Sequence, residues 1–356
     1  MESTQKVRIK DIAEKAGVSV GTVDRVLHGR TNVSKISMEK VQKVLNEINY
    51  VPNHYASALA SNNQHVFAAI LPLHEKDSYW EFVEHGLRDG MKRYSDFKIS
   101  LDIFYYDPFN DDTFKSESQK LIASEPNVAI VAPIMNCNIV TSLANRLKEK
   151  NIPYAFLDSN LPELDPVTFY GQNSIKSGEF SARIMLMAAG GHPKKMSIFK
   201  IMGEGRVASR QQYDREIGFK NYMKEHCPEC IIDEVQLYAY DKDGFNTILR
   251  EYFKENPDVP CGVAFNSSIH KIAEFLSSER ESKNHMQLLG YDATAANIEC
   301  IKNGSVDFLV AQHPFKQGLN CFRSLFNSYI LHTKQQKEHY VAIELLTKEN
   351  IDFYMD

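Results

Sequence analysis

The sequence predicts a small all-α head followed by an α/β body made of two doubly wound, parallel-sheet lobes. Three observations support this fold class. Residues 9–48 contain three segments whose apolar side chains recur at helical spacing. From Val66 onward, short apolar runs typical of buried strands alternate with amphipathic helical segments. The alternation restarts after residue 171, which indicates two lobes. We therefore expect a head at 1–52, a linker at 53–63 and a two-lobed body at 64–356.

The head begins with two short helical patterns separated by a glycine turn. Apolar or small residues share one face of each helix: Ile9, Ile12, Ala13 and Ala16 in the first, and Thr22, Val23, Val26 and Leu27 in the second. Gly17 permits a tight turn, and Ser19 stands where it can cap the second helix. A third helical pattern follows at Val41, Val44, Leu45 and Ile48. This spacing is that of a helix-turn-helix, whose second helix enters the DNA major groove, although many ordinary helix pairs share it.

Composition and charge narrow the class of protein. Hydrophobic residues make up 43% and charged residues 24% of the chain, as in a soluble globular protein. Residues 1–62 hold 9 Lys/Arg against 6 Asp/Glu, whereas the rest holds 32 against 40. A mildly basic head on an acidic body suits a head that contacts phosphates. The chain has no apolar run long enough for a membrane span and no apolar signal segment near its start, so we expect a cytoplasmic protein.

The body alternates strands and helices in an order that places a ligand cleft between two sheets. Strands are predicted at 66–72, 100–107, 128–133, 153–158, 167–171, 196–202, 231–238, 262–266, 287–292 and 306–312. Helices are predicted at 82–94, 113–123, 139–148, 178–189, 214–224, 269–277, 295–303 and 315–329. Short strands near Ala342 and Asp352 would cross back between the lobes. In such sheets, ligands bind where the carboxyl ends of the strands meet the cleft.

The cysteines give little sign of metal or redox chemistry. Six are scattered along the chain, and a cytoplasmic protein keeps such thiols free by default. Cys227 and Cys230 have CxxC spacing and follow His226. A zinc site would need a second pair nearby, and a thioredoxin-like site would need the pair to open a helix, whereas this pair follows one. Metal or redox use of this pair remains a minor alternative, and we expect no cofactor.

Motifs for catalysis are absent from the sequence. The chain contains no Walker A sequence, no GxGxxG and no HExxH, and its twelve histidines are dispersed. We therefore expect that the protein is not an enzyme.

The head and several body motifs together resemble the lac repressor family of bacterial transcription regulators. In the head, the resemblance includes the three helical patterns and the segment Tyr50-Val51-Pro52-Asn53. In the body, it rests on Asp77-Ser78-Tyr79-Trp80, Arg215-Glu216-Ile217-Gly218-Phe219, Asn266, Gly290-Tyr291-Asp292 and Gln312-His313-Pro314. The resemblance implies a body with the fold of periplasmic sugar-binding proteins. The Gln-x-Pro form and Gly171-Gln172-Asn173-Ser174 look more like a sugar-binding subgroup than the lac repressor itself.

On the DNA side, the resemblance and the helix positions select six residues: Ser19, Val20, Thr22, Arg25, Asn53 and Leu59. Arg25 can make bidentate bonds to guanine, and Val20 can meet a thymine methyl group. The family resemblance assigns residues 53–63 to a hinge helix that folds in the minor groove, where a leucine matching Leu59 wedges a base step open. A flexible linker without a DNA role is the alternative.

Two residues of the second helix depart from the family pattern. Gly21 stands where many members place a long base-reading side chain, and Asp24 replaces a serine. A carboxylate near phosphates needs a partner, for which Arg25 or Lys15 is available, or it can accept from cytosine N4. The operator sequence is therefore left open.

On the effector side, eight residues are candidates: Tyr79, Trp80, Asp158, Asn173, Arg215, Asn266, Asp292 and Gln312. Their carboxylates and amides can bridge sugar hydroxyls, and Arg215 offers a planar donor fork. Tyr79 and Trp80 can cover the apolar face of a sugar ring. One departure is Ser267, which follows Asn266 where the family often has Asp.

These patterns favour a homodimeric transcription regulator, expected to act as a repressor. Its partners would be a double-stranded DNA operator and a small sugar or sugar derivative bound between the lobes, without cofactor or membrane. The alternative from a different class is a sugar-binding protein or sugar-modifying enzyme with an incidental helical head.

Overall fold

The computed structural model describes residues 9–27, 32–48, 55, 59, 63–133, 136–202, 209–279 and 285–354. The chain forms two compact units, Met1–Ser61 and Asn62–Asp356. Each unit has its own core, so each is described by itself. No helix among these residues has the length and apolar character needed to cross a bilayer.

The first unit is the predicted three-helix head. Its helices are α1 (Ile9–Ala16), α2 (Val20–Leu27) and α3 (Lys35–Glu47). They enclose a small core of Ile12, Ala13, Ala16, Val23, Val41 and Val44. Gly17 adopts φ +65°, a left-handed conformation that glycine reaches without strain. The Ser19 hydroxyl accepts from the Thr22 backbone N–H at 3.2 Å, as expected of a helix cap.

The second unit contains two six-stranded sheets. In chain order, the strands are β1 (His65–Pro72), β2 (Ile99–Tyr106), β3 (Val128–Val131), β4 (Tyr154–Leu157), β5 (Thr168–Gly171), β6 (Lys195–Met202), β7 (Ile231–Tyr238), β8 (Cys261–Val263), β9 (Gln287–Tyr291), β10 (Phe308–Ala311), β11 (Glu338–Tyr340) and β12 (Glu344–Leu346). Lobe 1 has the order β11-β5-β4-β3-β1-β2, and lobe 2 has the order β12-β10-β9-β8-β6-β7. All neighbouring strands are parallel except β10 and β12.

Helices cover both faces of each sheet. They are α4 (Tyr79–Arg93), α5 (Asp111–Ala123), α6 (Cys137–Glu149), α7 (Ser174–Ala188), α8 (Arg210–His226), α9 (Lys242–Glu255), α10 (Ile269–Glu279), α11 (Ala295–Asn303) and α12 (Pro314–Tyr329). In lobe 2, one apolar core lies under α9, α10 and α11, and a second lies under α7 and α8. In lobe 1, a core under α5 and α6 covers one face, and α12 packs against the other. The predicted pair of doubly wound lobes is therefore confirmed.

Several predicted elements differ from the observed ones. Helix α9 was not predicted, although Phe245, Leu249 and Phe253 recur at four-residue spacing and are buried. Helices α4, α7 and α8 each begin three or four residues earlier than expected, because Ser78, Asn173 and Ser209 cap them.

The chain end also differs from the prediction. The strand expected near Asp352 is a single 3₁₀ turn, Ile351–Phe353. The Asn350 side chain explains this turn, because it accepts from the Thr347 N–H at 2.7 Å and donates to the Leu345 carbonyl at 2.9 Å. The short strands expected near Ala342 are present, as β11 and β12 on either side of it.

The chain crosses between the lobes three times, and one side chain joins all three crossings. The crossings follow β5, β10 and β11. Gln172, in the first, is buried and donates its amide N–H groups to the carbonyl of Ala311 at 3.0 Å and of Ala342 at 3.2 Å. Its carbonyl accepts from the Ser177 hydroxyl at 2.7 Å. The three connections are thus held at one point.

Helices α4 and α12 lie in backbone contact within lobe 1. A Cβ added to Gly86 would stand 2.1 Å from the Phe315 carbonyl oxygen, and one added to Gly318 would stand 2.2 Å from that of Val83. Only glycine fits at these two positions. Helix α12 therefore completes lobe 1, although it follows all of the parallel strands of lobe 2 in the chain.

Gly86→Ala is expected to destabilise the body by about 1–3 kcal/mol, because the added methyl group separates two close-packed helices. The measurement is the urea midpoint of the body transition. His85→Ala changes an exposed neighbour on the same helix and is the control, with a shift several-fold smaller. Equal midpoints for the two variants would show that the helix contact is dispensable.

Candidate functional site

The cleft of the second unit collects polar side chains at strand ends from both lobes. Asp158 follows β4 in lobe 1, while Asp292 follows β9 and Gln312 follows β10 in lobe 2. Because parallel strands end at the same edge of a sheet, these residues converge. Asp158 and Asp292 adopt φ of +73° and +68°, a conformation that non-glycine residues seldom adopt.

Asp158 forms the lobe 1 side of this cluster. Its carboxylate is buried and accepts from the Tyr79 hydroxyl at 2.6 Å. Its main-chain carbonyl accepts from the Gln211 amide of α8 at 2.7 Å, so one hydrogen bond joins the lobes here. Burial raises the pKa of Asp158, while the bonds to Tyr79 and Gln211 and the charge of Arg215 act in the opposite direction. The protein thus holds a carboxyl group under desolvation at the cleft.

Arg215 forms the lobe 2 side and is only 2% exposed. Its guanidinium donates to the Phe265 carbonyl at 2.8 Å and to the Gln312 side-chain oxygen, and it stacks over the Tyr291 ring at 4.1 Å from the centroid. The Gln312 amide in turn donates to Asp292 at 2.7 Å. Within the described residues, the buried Nε of Arg215 has no hydrogen-bond partner. The cluster therefore contains one unsatisfied donor, which is shielded from solvent.

Two aromatic residues stand beside the cluster at the start of α4. Burial, followed by the charge of Asp158, raises the pKa of Tyr79 well above its ordinary value, so its hydroxyl remains a donor. The Trp80 ring meets the Tyr79 ring edge to face at 5.2 Å. Trp80 is the only tryptophan of the chain, which makes it a specific fluorescence reporter for this position.

Two predicted effector residues make backbone bonds instead of joining the cluster. Asn173 caps α7 by accepting from the Lys176 N–H at 3.0 Å. Asn266 donates to the Ile201 carbonyl at 2.9 Å and accepts from the Ser268 N–H at 3.1 Å. The cluster itself unites five of the eight predicted residues: Tyr79, Asp158, Arg215, Asp292 and Gln312.

Sequence reasoning missed two members of the cluster. Gln211 lies in the first turn of α8, which the predicted helix omitted because its start was placed at Asp214. The capping Ser209 is the signal that would have included it. Tyr291 is fully buried beneath Arg215 and lies within the Gly-Tyr-Asp motif, where only the aspartate was selected.

Two cavities flank the cluster. The larger has a volume of about 410 Å³ and is lined mainly by aromatic and small apolar residues, among them Tyr79, Phe82, Ala293, Pro314, Phe315 and Tyr354. The smaller, of about 200 Å³, is lined by polar groups that include Asp158, Asn173, Arg210, Gln211 and Asp214. Asp292 also lines the larger cavity, so each cavity opens directly onto the cluster.

In the head, the outward side of α2 carries the predicted DNA-contact residues. Val23 is the buried anchor of the helix, whereas Ser19, Val20 and Arg25 are exposed and Thr22 is half-buried. The Ser19 and Thr22 hydroxyls lie 2.9 Å apart. Leu59 has helical backbone and is 50% exposed. Asn53 lies outside the described residues.

The CxxC pair, Cys227 and Cys230, directly follows the end of α8. The Cys230 N–H donates to the Cys227 carbonyl at 3.0 Å, and both thiols are free. Burial raises the pKa of Cys230 to about 11, which leaves little reactive thiolate at neutral pH. Among the residues with assigned positions, no group of three His, Cys, Asp or Glu side chains is arranged to hold a metal ion.

Comparison with known proteins identifies both units. Residues 8–53 match the family described as bacterial regulatory proteins, lacI family, and residues 67–328 match the periplasmic binding protein domain. The chain belongs to the lacI family of bacterial regulatory proteins. A crystal structure from Bacteroides fragilis, assigned as a LacI transcriptional regulator, shares 39% sequence identity with a TM-score of 0.78. The match covers 82% of this chain and 100% of that one.

Curated lacI-family relatives are more distant. The HTH-type transcriptional regulator DegA of Bacillus subtilis (strain 168) is 26% identical over 62% of this chain and 61% of its own length. The ribose operon repressor of the same organism is 25% identical over 80% of this chain and 81% of its own. A solute binding protein of Bacillus halodurans C-125 with bound myo-inositol has a TM-score of 0.69 at 17% identity, covering 83% of this chain and 98% of that one, and shows the shared fold of the body.

Asp158→Asn is expected to change how stability depends on pH. The pKa of Asp158 in the folded state is raised above its ordinary 3.8. The folded protein therefore binds this proton more tightly than the unfolded chain does, and protonation of Asp158 stabilises the fold. The stability of the wild type relative to the variant should therefore fall as pH rises from 3.8 through the raised pKa and then level off. Thermal midpoints measured at intervals from about pH 4 to pH 8 test this sign. Ser159→Ala, a neighbouring change that removes no ionisable group, should show the same dependence of the midpoint on pH as the wild type. If the midpoints of Asp158→Asn and the wild type change with pH in parallel, the pKa of Asp158 is not raised in the folded state.

Proposed function

We propose that this lacI-family protein is a sequence-specific transcription regulator that acts as a homodimeric repressor. A small sugar or sugar derivative bound between its lobes would control its affinity for operator DNA. The observation that carries the proposal is the cleft cluster, in which side chains of both lobes converge on one ligand-sized space. Because the operator is chromosomal DNA, the protein would work in the bacterial cytoplasm.

The exposed side of α2 supports the DNA role. Arg25 has the planar fork that matches guanine O6 and N7, and Val20 offers an apolar surface for a thymine methyl group. Ser19, Thr22 and Asn53 are proposed phosphate contacts that set the position of the helix on the duplex. Leu59 is proposed to wedge a base step in the minor groove, a role that its exposure permits.

The cleft supports an effector that alters lobe closure. Tyr79 and Asp158 belong to lobe 1, whereas Arg215, Asp292 and Gln312 belong to lobe 2 or its exit. A ligand bonded to both sets has different contacts in the open and closed bodies, which is the requirement for shifting their equilibrium. Trp80, Asn173 and Asn266 complete the proposed site at its edges. We assign no catalytic role, because the relatives above are named as regulators.

A continuous series of contacts leads from this cleft to the crossings between the lobes. Arg215 lies on the Tyr291 ring, and the Tyr291 hydroxyl lies 2.9 Å from the Ser177 hydroxyl. Ser177 donates to Gln172, which joins the three crossings. An effector that moves Arg215 would therefore act on the crossings between the lobes through the side chains of Tyr291 and Ser177. We propose that this route carries the effector signal.

Mapping of the sites that the full-length protein occupies on its own chromosome tests the function. Occupied promoters should share an inverted repeat, and genes beside them should indicate the effector class. The purified chain should retain those fragments over random duplex DNA, and a sugar that binds should change the retention. Equal retention of promoter and random DNA, with and without sugars, would refute the proposal.

Arg25→Ala is expected to weaken operator binding about 5- to 150-fold, the equivalent of one bidentate base contact. Binding to random duplex should change much less. Lys43→Ala removes the same charge from an exposed position on α3 and is the matched control. Titration of labelled operator and random duplex at fixed salt gives both constants. Equal losses for the two variants would assign Arg25 to phosphate contact only.

Gln172→Met is expected to uncouple the two binding events, because it removes both bonds to the other crossings while keeping the side chain length. Sugar binding and operator binding should each persist within a few-fold, whereas the effect of sugar on operator affinity should fall towards none. Ser118→Ala is the control, since Ser118 is a buried polar residue of lobe 1 that lies on α5, away from the crossings and the cluster. Unchanged coupling in Gln172→Met would remove Gln172 from the route.

A further inference from the structure

We propose that the effector is an uncharged glycoside with an apolar second group, and neither a free monosaccharide nor a sugar phosphate. Its hydroxyl-rich ring would contact the cluster at the part of the 410 Å³ cavity that Tyr79 and Asp292 line, and its aglycone or second ring would lie against the apolar walls of that cavity. This inference rests on the proposed function and deepens it, because it names the chemical class of the ligand.

The charges at the cleft disfavour an anionic ligand. The described residues of the cluster and the smaller cavity include three carboxylates, on Asp158, Asp214 and Asp292, and two guanidinium groups. Arg210 lies 3.6 Å from Asp214, and Arg215 is already bonded to Phe265 and Gln312. A phosphate in the smaller cavity would lie beside Asp158, whose own charge is already opposed by burial, and one in the larger cavity would lie beside Asp292. A neutral hydroxyl can instead donate to Asp158 from the smaller cavity or to Asp292 from the larger one.

The larger cavity has the surface that an apolar ligand group requires. Its walls include the rings of Phe82, Phe315 and Tyr354 and the small side chain of Ala293. Its volume of about 410 Å³ falls within the range of small-molecule sites. Tyr79 and Asp292 belong both to the cavity wall and to the cluster, so a molecule in the cavity can contact the cluster. Aromatic rings stack favourably on the C–H face of a sugar and on aryl groups.

One wall of the larger cavity is formed by a close-packed helix pair of lobe 1. Phe82 lies on α4 and Phe315 on α12, and these helices are in backbone contact at Gly86 and Gly318. A wall held in this way does not close when empty, and little ordering is needed when a group enters it. The apolar group should therefore add affinity beyond that of the sugar ring alone.

Calorimetric titration of the full-length protein with a panel of sugars tests this. The panel contains common hexoses, each as the free sugar, the methyl glycoside, the phenyl glycoside of both anomers and the 6-phosphate. For the hexose that binds, the phenyl glycoside should bind at least about tenfold more tightly than the methyl glycoside, and the 6-phosphate at least about tenfold more weakly than the free sugar.

Two variants locate the apolar group. Ala293→Leu fills the cavity and should abolish the advantage of phenyl over methyl glycosides, whatever its effect on the sugar ring itself. Ala295→Leu adds the same volume at an exposed position outside the cavity and should leave the advantage intact. Phe82→Ala removes a ring from the cavity wall and should also reduce the advantage. It tests the same cavity independently, in case Ala293→Leu does not fold.

The outcomes separate this inference from the proposed function. If phenyl and methyl glycosides bind equally, or if the 6-phosphate binds most tightly, the ligand class is wrong while the sugar-responsive regulator stands. If Ala295→Leu and Ala293→Leu lose the advantage equally, the cavity is not its source and the inference fails. If no panel member binds the wild type, the inference and the sugar effector both fail.

Discussion

The body depends on one buried amide that joins three separate pieces of chain. Gln172 donates to the carbonyl of Ala311, the last residue of β10, and to that of Ala342 in the third crossing, and it accepts from Ser177 of lobe 2. If the three crossings were not bonded to each other, the two sheets could twist and slide relative to each other. Holding those strands at a common point leaves bending about that point as the natural relative motion. The cleft opens or closes by such a motion, so the position of every ligand-facing group is set from there.

The cleft itself combines favourable pairing with unfavourable burial. Asp158 and Arg215 are both almost fully buried, and each has hydrogen bonds that offset part of the desolvation. The offset is incomplete, since the pKa of Asp158 remains raised and the Arg215 Nε lacks a partner within the described residues. A ligand hydroxyl in the smaller cavity could donate to the Asp158 carboxylate. The same imbalance that weakens the empty body therefore supplies binding energy, and it favours a ligand able both to donate and to accept.

Much of the fold and of the cleft could be predicted from the sequence, because the spacing of apolar residues and the position of a residue at the end of a strand are local properties. Alternating apolar runs gave both sheets, and the family resemblance, together with the strand-end rule, selected Asp158, Asp292 and Gln312. Helix starts were placed late, since capping by Ser78 or Ser209 precedes the first apolar residue of the helix. That error hid Gln211. The tie through Gln172 could not be predicted, because it depends on residues about 140 and 170 positions away meeting in space.

The late position of α12 and β11 has a consequence for synthesis on the ribosome. Lobe 1 begins at His65, yet its packing face and its edge strand come from Pro314–Tyr329 and Glu338–Tyr340. Helix α4 presents Gly86 and Gly90 to a partner that does not exist until nearly the whole chain has emerged. The first-made sheet must therefore wait with one apolar face uncovered, a state that invites aggregation or chaperone capture. The helical head has all three of its helices long before, so a prematurely terminated chain would carry a folded head on an unfinished body.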